Sequence, residues 1–321
     1  MKLLTTLAVH NQLGEGVLWH PSQTSLWWTD IQRATLYHYQ LADKSVVTYP
    51  MPERVACFAF TQHPDQLLIA FASGLALYHL SSAKINWLAK LEYANRGHRL
   101  NDGRLDRHGR FWVGAMVEDT ALSPAPAALY QLTSNTLQVR KSGIRISNSL
   151  CFSPDGNTLY HADSPTGVIY QYPLSGNDSQ ALSDQLSHQT TFATTQAGIA
   201  PDGACIDKHG NLWSAQWGGS RVVQYNPCGK VLQILTLPVS QPTCVAIGGP
   251  NRDLLAITSA RDELSSQQLL SQPEAGNVFI YQLNESIGID ERFADLNDLT
   301  LGVSQDRNRY DNLAKTPADK V

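Results

Sequence analysis

The chain has 321 residues, a formal net charge of −4 and only 16% charged residues beside 42% hydrophobic ones. A dedicated nucleic-acid binder would carry a basic stripe, and no run of Lys or Arg occurs here. Nor does any segment approach the length of a membrane span, so neither nucleic acid nor a membrane is expected as a partner.

The first nine residues, Met1-Lys2-Leu3-Leu4-Thr5-Thr6-Leu7-Ala8-Val9, begin like an export signal, but the apolar run is short and two Thr interrupt it. It also lacks a small-residue cleavage site before Asn11-Gln12. It reads as a strand. From His20 onward one short pattern recurs about six times: a turn rich in Pro, Asp, Asn and Gly, followed by an apolar or aromatic run. The copies, in order, are His20-Pro21-Ser22-Gln23 before Leu26-Trp27-Trp28, His63-Pro64-Asp65 before Leu67-Leu68-Ile69, and Asp106 to Gly109 before Phe111-Trp112-Val113. Ser153-Pro154-Asp155-Gly156 before Leu159-Tyr160, Asp207 to Gly210 before Leu212-Trp213, and Gly249-Pro250-Asn251 before Leu254-Leu255 complete the series.

Successive copies lie roughly 40 to 55 residues apart, the period of β-propeller blades and too long for leucine-rich or ankyrin units. Each turn joins two strands, and a further β-rich run follows, such as Thr35-Leu36-Tyr37-His38-Tyr39 or Val168-Ile169-Tyr170-Gln171-Tyr172. Alternation and β-branched or aromatic enrichment argue for strands. The expected fold is therefore all-β, a six-bladed β-propeller with about four antiparallel strands per blade. Residues 1–321 are read as a single propeller domain, with a motif-bearing body over about 10–298 and a polar tail over about 299–321. The N-terminal strand would pair with the last blade and close the ring. Ser265 to Gln272 is expected to be a loop within that blade.

Five dispersed cysteines, at positions 57, 151, 205, 228 and 244, show no C-x-x-C spacing for zinc or redox work. Cys57, Cys151, Cys205 and Cys244 each fall in the first apolar strand of a blade, where a free thiol acts as a small hydrophobe. Reduced thiols of the cytoplasm are the simplest account. Trp27, Trp28, Trp112 and Trp213 are blade-core aromatics by their period, while Trp19 and Trp217 are open to either a core role or a place at the mouth. Asp30 and Asp163 lie beyond a second strand, where a carboxylate caps a turn. His63, His108 and His209 fall in blade turns and read as solvated residues rather than zinc ligands.

Counting back about ten or eleven residues from each run reaches Glu15, Asn101, Asn148, Asp202 and Thr243-Cys244, with Arg54 and Val55 at the corresponding place in the remaining blade. Rotation about a propeller axis relates these positions, so they should form one ring at the channel mouth. Singly, each reads as a turn-capping residue; their shared repeat position points to a site. Carboxylates forced together in a partly enclosed mouth call for a positive charge between them. Oxygen-only donors from Glu15, Asn148 and Asp202 suit one divalent metal ion, Ca²⁺ first, with Mg²⁺, Mn²⁺ or Zn²⁺ as alternatives.

Five ordered motifs carry a resemblance that runs from about residue 13 to about residue 285. They are Gly14-Glu15-Gly16-Val17-Leu18-Trp19, Arg99-Leu100-Asn101-Asp102-Gly103, Gly109 to Met116, Ile146-Ser147-Asn148-Ser149-Leu150 and Pro201 to Asp207. Together they resemble the regucalcin/gluconolactonase family of six-bladed propeller sugar lactonases. The resemblance implies Glu15, Asn148 and Asp202 as metal ligands, Asp202 also as the proton donor and acceptor, and Arg99 and Asn101 as substrate-binding residues. A family glutamate that touches substrate aligns with the acidic pair Glu118-Asp119, best with Asp119, and the segment Leu122 to Ala127 with Pro124 and Pro126 corresponds to a lid. The implied activity is metal-dependent hydrolysis of an aldono-1,4- or 1,5-lactone to the aldonic acid. A non-enzymatic calcium-binding or regulatory propeller and an esterase or phosphotriesterase on the same metal site are the alternatives.

Overall fold

The computed structural model describes residues 1–20, 22–91, 97–123, 125–174 and 186–297. Pro21, Pro124 and the polar tail expected over about 299–321 lie outside the described residues. Among the described residues, 24 strands form six four-stranded antiparallel sheets, the blades of a propeller. The first strand, β1 (Lys2–Leu7), belongs to the last blade. Blade 1 is β2 (Gly14–Trp19), β3 (Ser25–Asp30), β4 (Thr35–Gln40) and β5 (Val46–Pro50); blade 2 is β6 (Val55–Phe60), β7 (Gln66–Phe71), β8 (Gly74–His79) and β9 (Ile85–Lys90). Blade 3 is β10 (His98–Leu105), β11 (Phe111–Val117), β12 (Ala127–Thr133) and β13 (Thr136–Ile144); blade 4 is β14 (Ser147–Phe152), β15 (Thr158–Asp163), β16 (Val168–Pro173) and β17 (Thr190–Thr194). Blade 5 is β18 (Ala200–Ile206), β19 (Leu212–Trp217), β20 (Arg221–Tyr225) and β21 (Val231–Thr236). Blade 6 is β22 (Pro242–Gly248), β23 (Leu254–Ser259) and β24 (Val278–Gln282), completed by β1 antiparallel to β24. The N-terminal strand thus closes the ring as expected.

Apolar side chains bury between blades rather than within one. Six clusters each draw on two neighbouring blades, for example Trp28 and Tyr39 of blade 1 against Ala246 and Ile280 of blade 6. The innermost strand of each blade packs against those of both neighbours. Exposure rises outward: β6 is buried throughout, whereas β5 and β21 face solvent.

The recurring turn has a specific clamp. Asp106 accepts from the backbone N–H of His108 and Arg110 and from Trp112 Nε1 at 3.0 Å. Asp207 repeats this in blade 5, with His209, Asn211 and Trp213 Nε1, again at 3.0 Å. One carboxylate therefore fixes both the hairpin and the rotamer of a core tryptophan. Trp27, Trp28, Trp112 and Trp213 are buried as expected.

One element differs from expectation. Ser266–Ser271 is a short helix, α1, because Ser265 Oγ accepts from Gln268 N–H while the Gln268 side chain accepts from Ser265 N–H. That Ser-x-x-Gln capping box supplies donors and acceptors that a loop would leave to water.

At the end of the ring opposite the starts of the inner strands, residues after β24 cross the channel. Lys208 N–H donates to Ile287 O, Ala294 N–H to Phe60 O and Asp295 N–H to Gly109 O. From this strap Glu291 pairs with Arg104, which also donates to Ala204 O at 3.1 Å.

Replacing Asp207 with Ala should strand Trp213 Nε1 and two backbone N–H groups, costing about 2–4 kcal/mol of stability. Asp155→Ala, at the exposed turn of blade 4, should stay within about 0.5 kcal/mol. Thermal melting of both variants beside the parent checks this; equal losses would refute the clamp.

Candidate active site

All six inner strands break register at the same place. The shifts fall between Glu15 and Leu18, Val55 and Cys57, Leu100 and Gly103, Asn148 and Cys151, Pro201 and Ala204, and Pro242 and Val245. A bulge re-aims side chains that a regular strand would send to its two faces. In four of these strands the bulge lies where Glu15, Asn101, Asn148 and Asp202 face the cavity at the mouth of the channel. Two bulges use left-handed backbone: Gly16 at φ 58° and Ser149 at φ 56° directly follow Glu15 and Asn148. Hydroxyls tie adjacent blades together at this level. Ser149 Oγ donates to Asp202 O at 2.5 Å, Ser164 Oγ to Pro201 O at 2.7 Å, and Thr243 Oγ1 to Gly14 O.

The mouth opens into a cavity of about 190 Å³ whose polar lining includes Glu15, Arg99, Asn101, Asn148 and Asp202. Arg99, Asn148 and Asp202 are buried, with 4%, 6% and 5% of their surface exposed, and Glu15 is half-buried. A hydrogen-bond chain joins three of them: Arg99 Nη1 donates to Asn101 Oδ1 at 2.6 Å, and Asn101 Nδ2 donates to Asn148 Oδ1 at 3.1 Å. Asn148 Nδ2 in turn donates to Ser164 Oγ at 2.8 Å, which turns the amide oxygen away from blade 4. Leu13, Met116, Ile146 and Trp217 add apolar wall.

The Glu15 and Asp202 carboxyls stand within hydrogen-bonding reach of each other. Burial, and then the charge of Asp102, pushes Glu15 up from the ordinary carboxylate value; burial, and then the charge of Glu15, pushes Asp202 well up. Asp102, beneath them, is pushed up to about 6 by burial, although it accepts from Leu150 N–H at 2.8 Å. Arg99 offsets little of this, because its guanidinium is committed to Leu100 O, Asn101 and Glu118. Two carboxylates held together in a partly enclosed mouth are costly unless a cation stands between them. Glu15, Asp202 and the Asn148 amide oxygen form an all-oxygen donor set that fits a hard divalent cation. Among the described residues no group of three His, Cys, Asp or Glu side chains stands at ligating distance, and Asn148 is the amide that lines the cavity with the two acids.

The remaining expected residues take varied places. Glu118 lies behind Arg99, accepting from Arg99 Nε at 3.2 Å and from both Arg54 terminal nitrogens at 2.6 and 2.8 Å. Asp119 Oδ1 accepts from the N–H groups of Ala121 and Leu122, and neither acid is part of the cavity lining. Thr243 and Cys244 are buried and Val55 is fully covered, so these ring positions contribute packing. Ser123 and the Ala125 carbonyl meet the His98 ring at 3.0 Å, holding part of the segment from Leu122 to Ala127 against β10. Asp30 accepts from Gln12 and Leu13 N–H, and Asp163 from Arg145 and Ile146 N–H, the capping role expected of both. Trp19 is core and Trp217 lines the mouth.

Sequence reasoning missed Ser164, Asp262 and Glu263. Ser164 follows the capping Asp163 at the start of a short 3-10 turn, Ser164–Thr166, a position the blade repeat could have flagged. Asp262 and Glu263 sit in the connection after β23, where the blade repeat offers no equivalent residue.

The chain is similar to several known proteins over most of its length. Residues 13–261 match the family described as SMP-30/Gluconolactonase/LRE-like region. The L-arabinolactonase of Azospirillum brasilense is 37% identical over 289 residues, covering 88% of this chain and 93% of that protein. The 6-deoxy-6-sulfogluconolactonase of Pseudomonas putida is 35% identical over 272 residues, covering 85% and 91%. Among solved structures, a calcium-binding protein, regucalcin, from Agrobacterium tumefaciens superposes with a TM-score of 0.83 at 27% identity, covering 92% of this chain and 98% of that one.

The raised carboxyls set a pH trend for metal-free protein. A carboxyl whose folded pKa exceeds its unfolded value binds more protons in the native state, so stability falls as pH rises through that interval. Between about pH 5 and about pH 8 the melting temperature of chelator-treated protein should fall more than that of Glu15→Gln. Parallel slopes would refute the assigned electrostatics.

Proposed function

The chain belongs to the SMP-30/gluconolactonase/LRE-like family, and on that premise we propose that it is a hydrolase opening a sugar lactone to the corresponding aldonic acid, with a divalent cation held by Glu15, Asn148 and Asp202. The observation that carries this reading is the close Glu15–Asp202 carboxyl pair in the lining of a cavity of about 190 Å³. Relatives named as lactonases, at 37% and 35% identity over most of the chain, support the reaction class. The regucalcin neighbour described as calcium-binding supports the choice of Ca²⁺ as the first candidate ion.

When bound, such a cation supplies positive charge that polarises an ester carbonyl and acidifies water. Asp202 takes a proton from the attacking water and returns one to the ring oxygen as the C–O bond breaks, leaving a carboxylic acid and a hydroxyl. General acid–base work of this kind contributes typically ~10²- to 10⁴-fold. Arg99 and Asn101 orient the sugar hydroxyls; Glu118 and Arg54 hold Arg99 in place behind them. Asp119, tied to Ala121 and Leu122, is assigned no substrate contact. Trp217 offers a face on which the sugar ring can stack. Four cysteines buried as free thiols on separate inner strands support a reducing compartment, the cytoplasm.

Acid release should be followed over a panel of five- and six-carbon aldonolactones, using chelator-treated protein with Ca²⁺, Mg²⁺, Mn²⁺ or Zn²⁺ restored. Turnover should depend on the added cation, and Asp202→Asn should lose about 10³-fold or more in kcat. Cation binding without turnover of any lactone would overturn the hydrolase reading in favour of a calcium-binding propeller. A separate change, Arg99→Lys, should lower kcat/KM by about 10- to 100-fold, since a flexible ammonium cannot reproduce the guanidinium fork; unchanged kinetics would remove Arg99 from the substrate site.

A further inference from the structure

We propose that Asp262 and Glu263 act as a charge filter that limits the cavity to lactones without an anionic substituent remote from the carbonyl. The proposal rests on the lactone-hydrolase reading and specifies its substrate class. Arg99 and Asn101 come from blade 3, and Asp262 and Glu263 follow β23 of blade 6. In a six-bladed ring these blades are diametrically opposed. A ring sugar held at one edge by Arg99 and Asn101 therefore turns its other edge toward the two acids. A cavity of about 190 Å³ leaves little room to avoid either wall.

The acidic wall is anchored. Asp262 Oδ1 accepts from Gln12 Nε2 at 3.0 Å and Oδ2 from Gln32 Nε2 at 3.1 Å, while the N–H groups of Arg261 and Asp262 both donate to Gln12 O. Both side-chain partners are neutral amides, which orient the carboxylate without cancelling its charge. Glu263 sits at φ 60°, a left-handed conformation uncommon for a residue with a Cβ, and this turn sets the two acids side by side. Among the described residues neither acid takes part in an ion pair. Of the cations on this face, Arg54 and Arg99 converge on Glu118, Arg33 pairs with Asp30, and Arg54 reaches Asp262 only through Gln32, to whose Oε1 it donates at 3.3 Å.

Like charges several ångströms apart in a partly enclosed site disfavour binding by about tenfold. A phosphate or sulfonate at the far end of the sugar meets that repulsion, whereas a hydroxyl finds carboxylate oxygens that accept its proton. The two relatives above divide on this property by name: an arabinolactone carries no such group and a 6-deoxy-6-sulfogluconolactone does. The acidic wall sides this chain with the first.

The test compares kcat/KM for glucono-1,5-lactone and its 6-phosphate in wild type, Glu263→Gln and Asp262→Asn/Glu263→Gln. Binding of 1,5-anhydroglucitol and its 6-phosphate, cyclic ethers with no carbonyl to hydrolyse, is measured alongside by calorimetry. Wild type should favour the neutral compound by about tenfold or more in both assays, with the preference shrinking at high salt. In the double variant the preference should fall about tenfold; Glu263→Gln, at an exposed side chain, should give a partial loss that does not depend on refolding the turn. Equal use of neutral and phosphorylated compounds by wild type, or a ratio unchanged in both variants, overturns the filter. Discrimination in binding with no lactone turnover overturns the hydrolase reading and leaves the filter standing, and failure to bind the neutral ether together with no turnover overturns both.

Discussion

Two carboxyl groups brought together inside a protein must be reconciled with each other, and the geometry of this mouth follows from that constraint. Glu15 arrives from blade 1 and Asp202 from blade 5, across the closure of the ring, and burial opposes the charge on both. The backbone that delivers them is bulged at matching positions in all six inner strands. Without the bulge, strict alternation would place neighbouring residues on opposite faces of each blade. With it, a pair such as Asn101-Asp102 can serve two levels: Asn101 lines the cavity and Asp102 bonds Leu150 N–H beneath it.

Rigidity at the mouth comes from links between blades. Ser149, Ser164, Thr243 and Asn101 each bridge to the inner strand of an adjacent blade. Inter-blade apolar clusters fix the strands behind them. The opposite end of the channel is crossed by the strap carrying Glu291, whose pairing with Arg104 places a half-buried ion pair there. Among the described residues the cavity beside the carboxyl pair lies at the mouth, lined by Arg99 on one side and by Asp262 with Glu263 on the other, the walls to which the proposed selectivity is assigned.

Much of this was legible in the sequence because the blade repeat ties a residue's number to its radius and height. Turn-plus-triplet periodicity located the blades, and the same count placed Glu15, Asn101, Asn148 and Asp202 in one ring. The N-terminal strand was legible as the closing strand for the same reason. What the repeat could not convey is anything that departs from it. Asp262 and Glu263 lie in an insertion between β23 and β24, and Ser266–Ser271 forms a helix through a local capping box rather than a blade position. The place of Glu118 depends on two arginines, one from each of two blades, an arrangement that no linear spacing encodes. Ser149 at φ 56° was hidden because a left-handed serine, unlike the glycine at position 16, leaves no compositional mark.

The most direct measurement is a titration of chelator-treated protein with Ca²⁺ in which bound cation and lactone hydrolysis are read on the same samples. The account predicts that activity rises in proportion to the first equivalent bound, and that Glu15→Gln abolishes both together. Full hydrolysis before any cation binds, or a bound equivalent that leaves the rate unchanged in every metal tested, would contradict it.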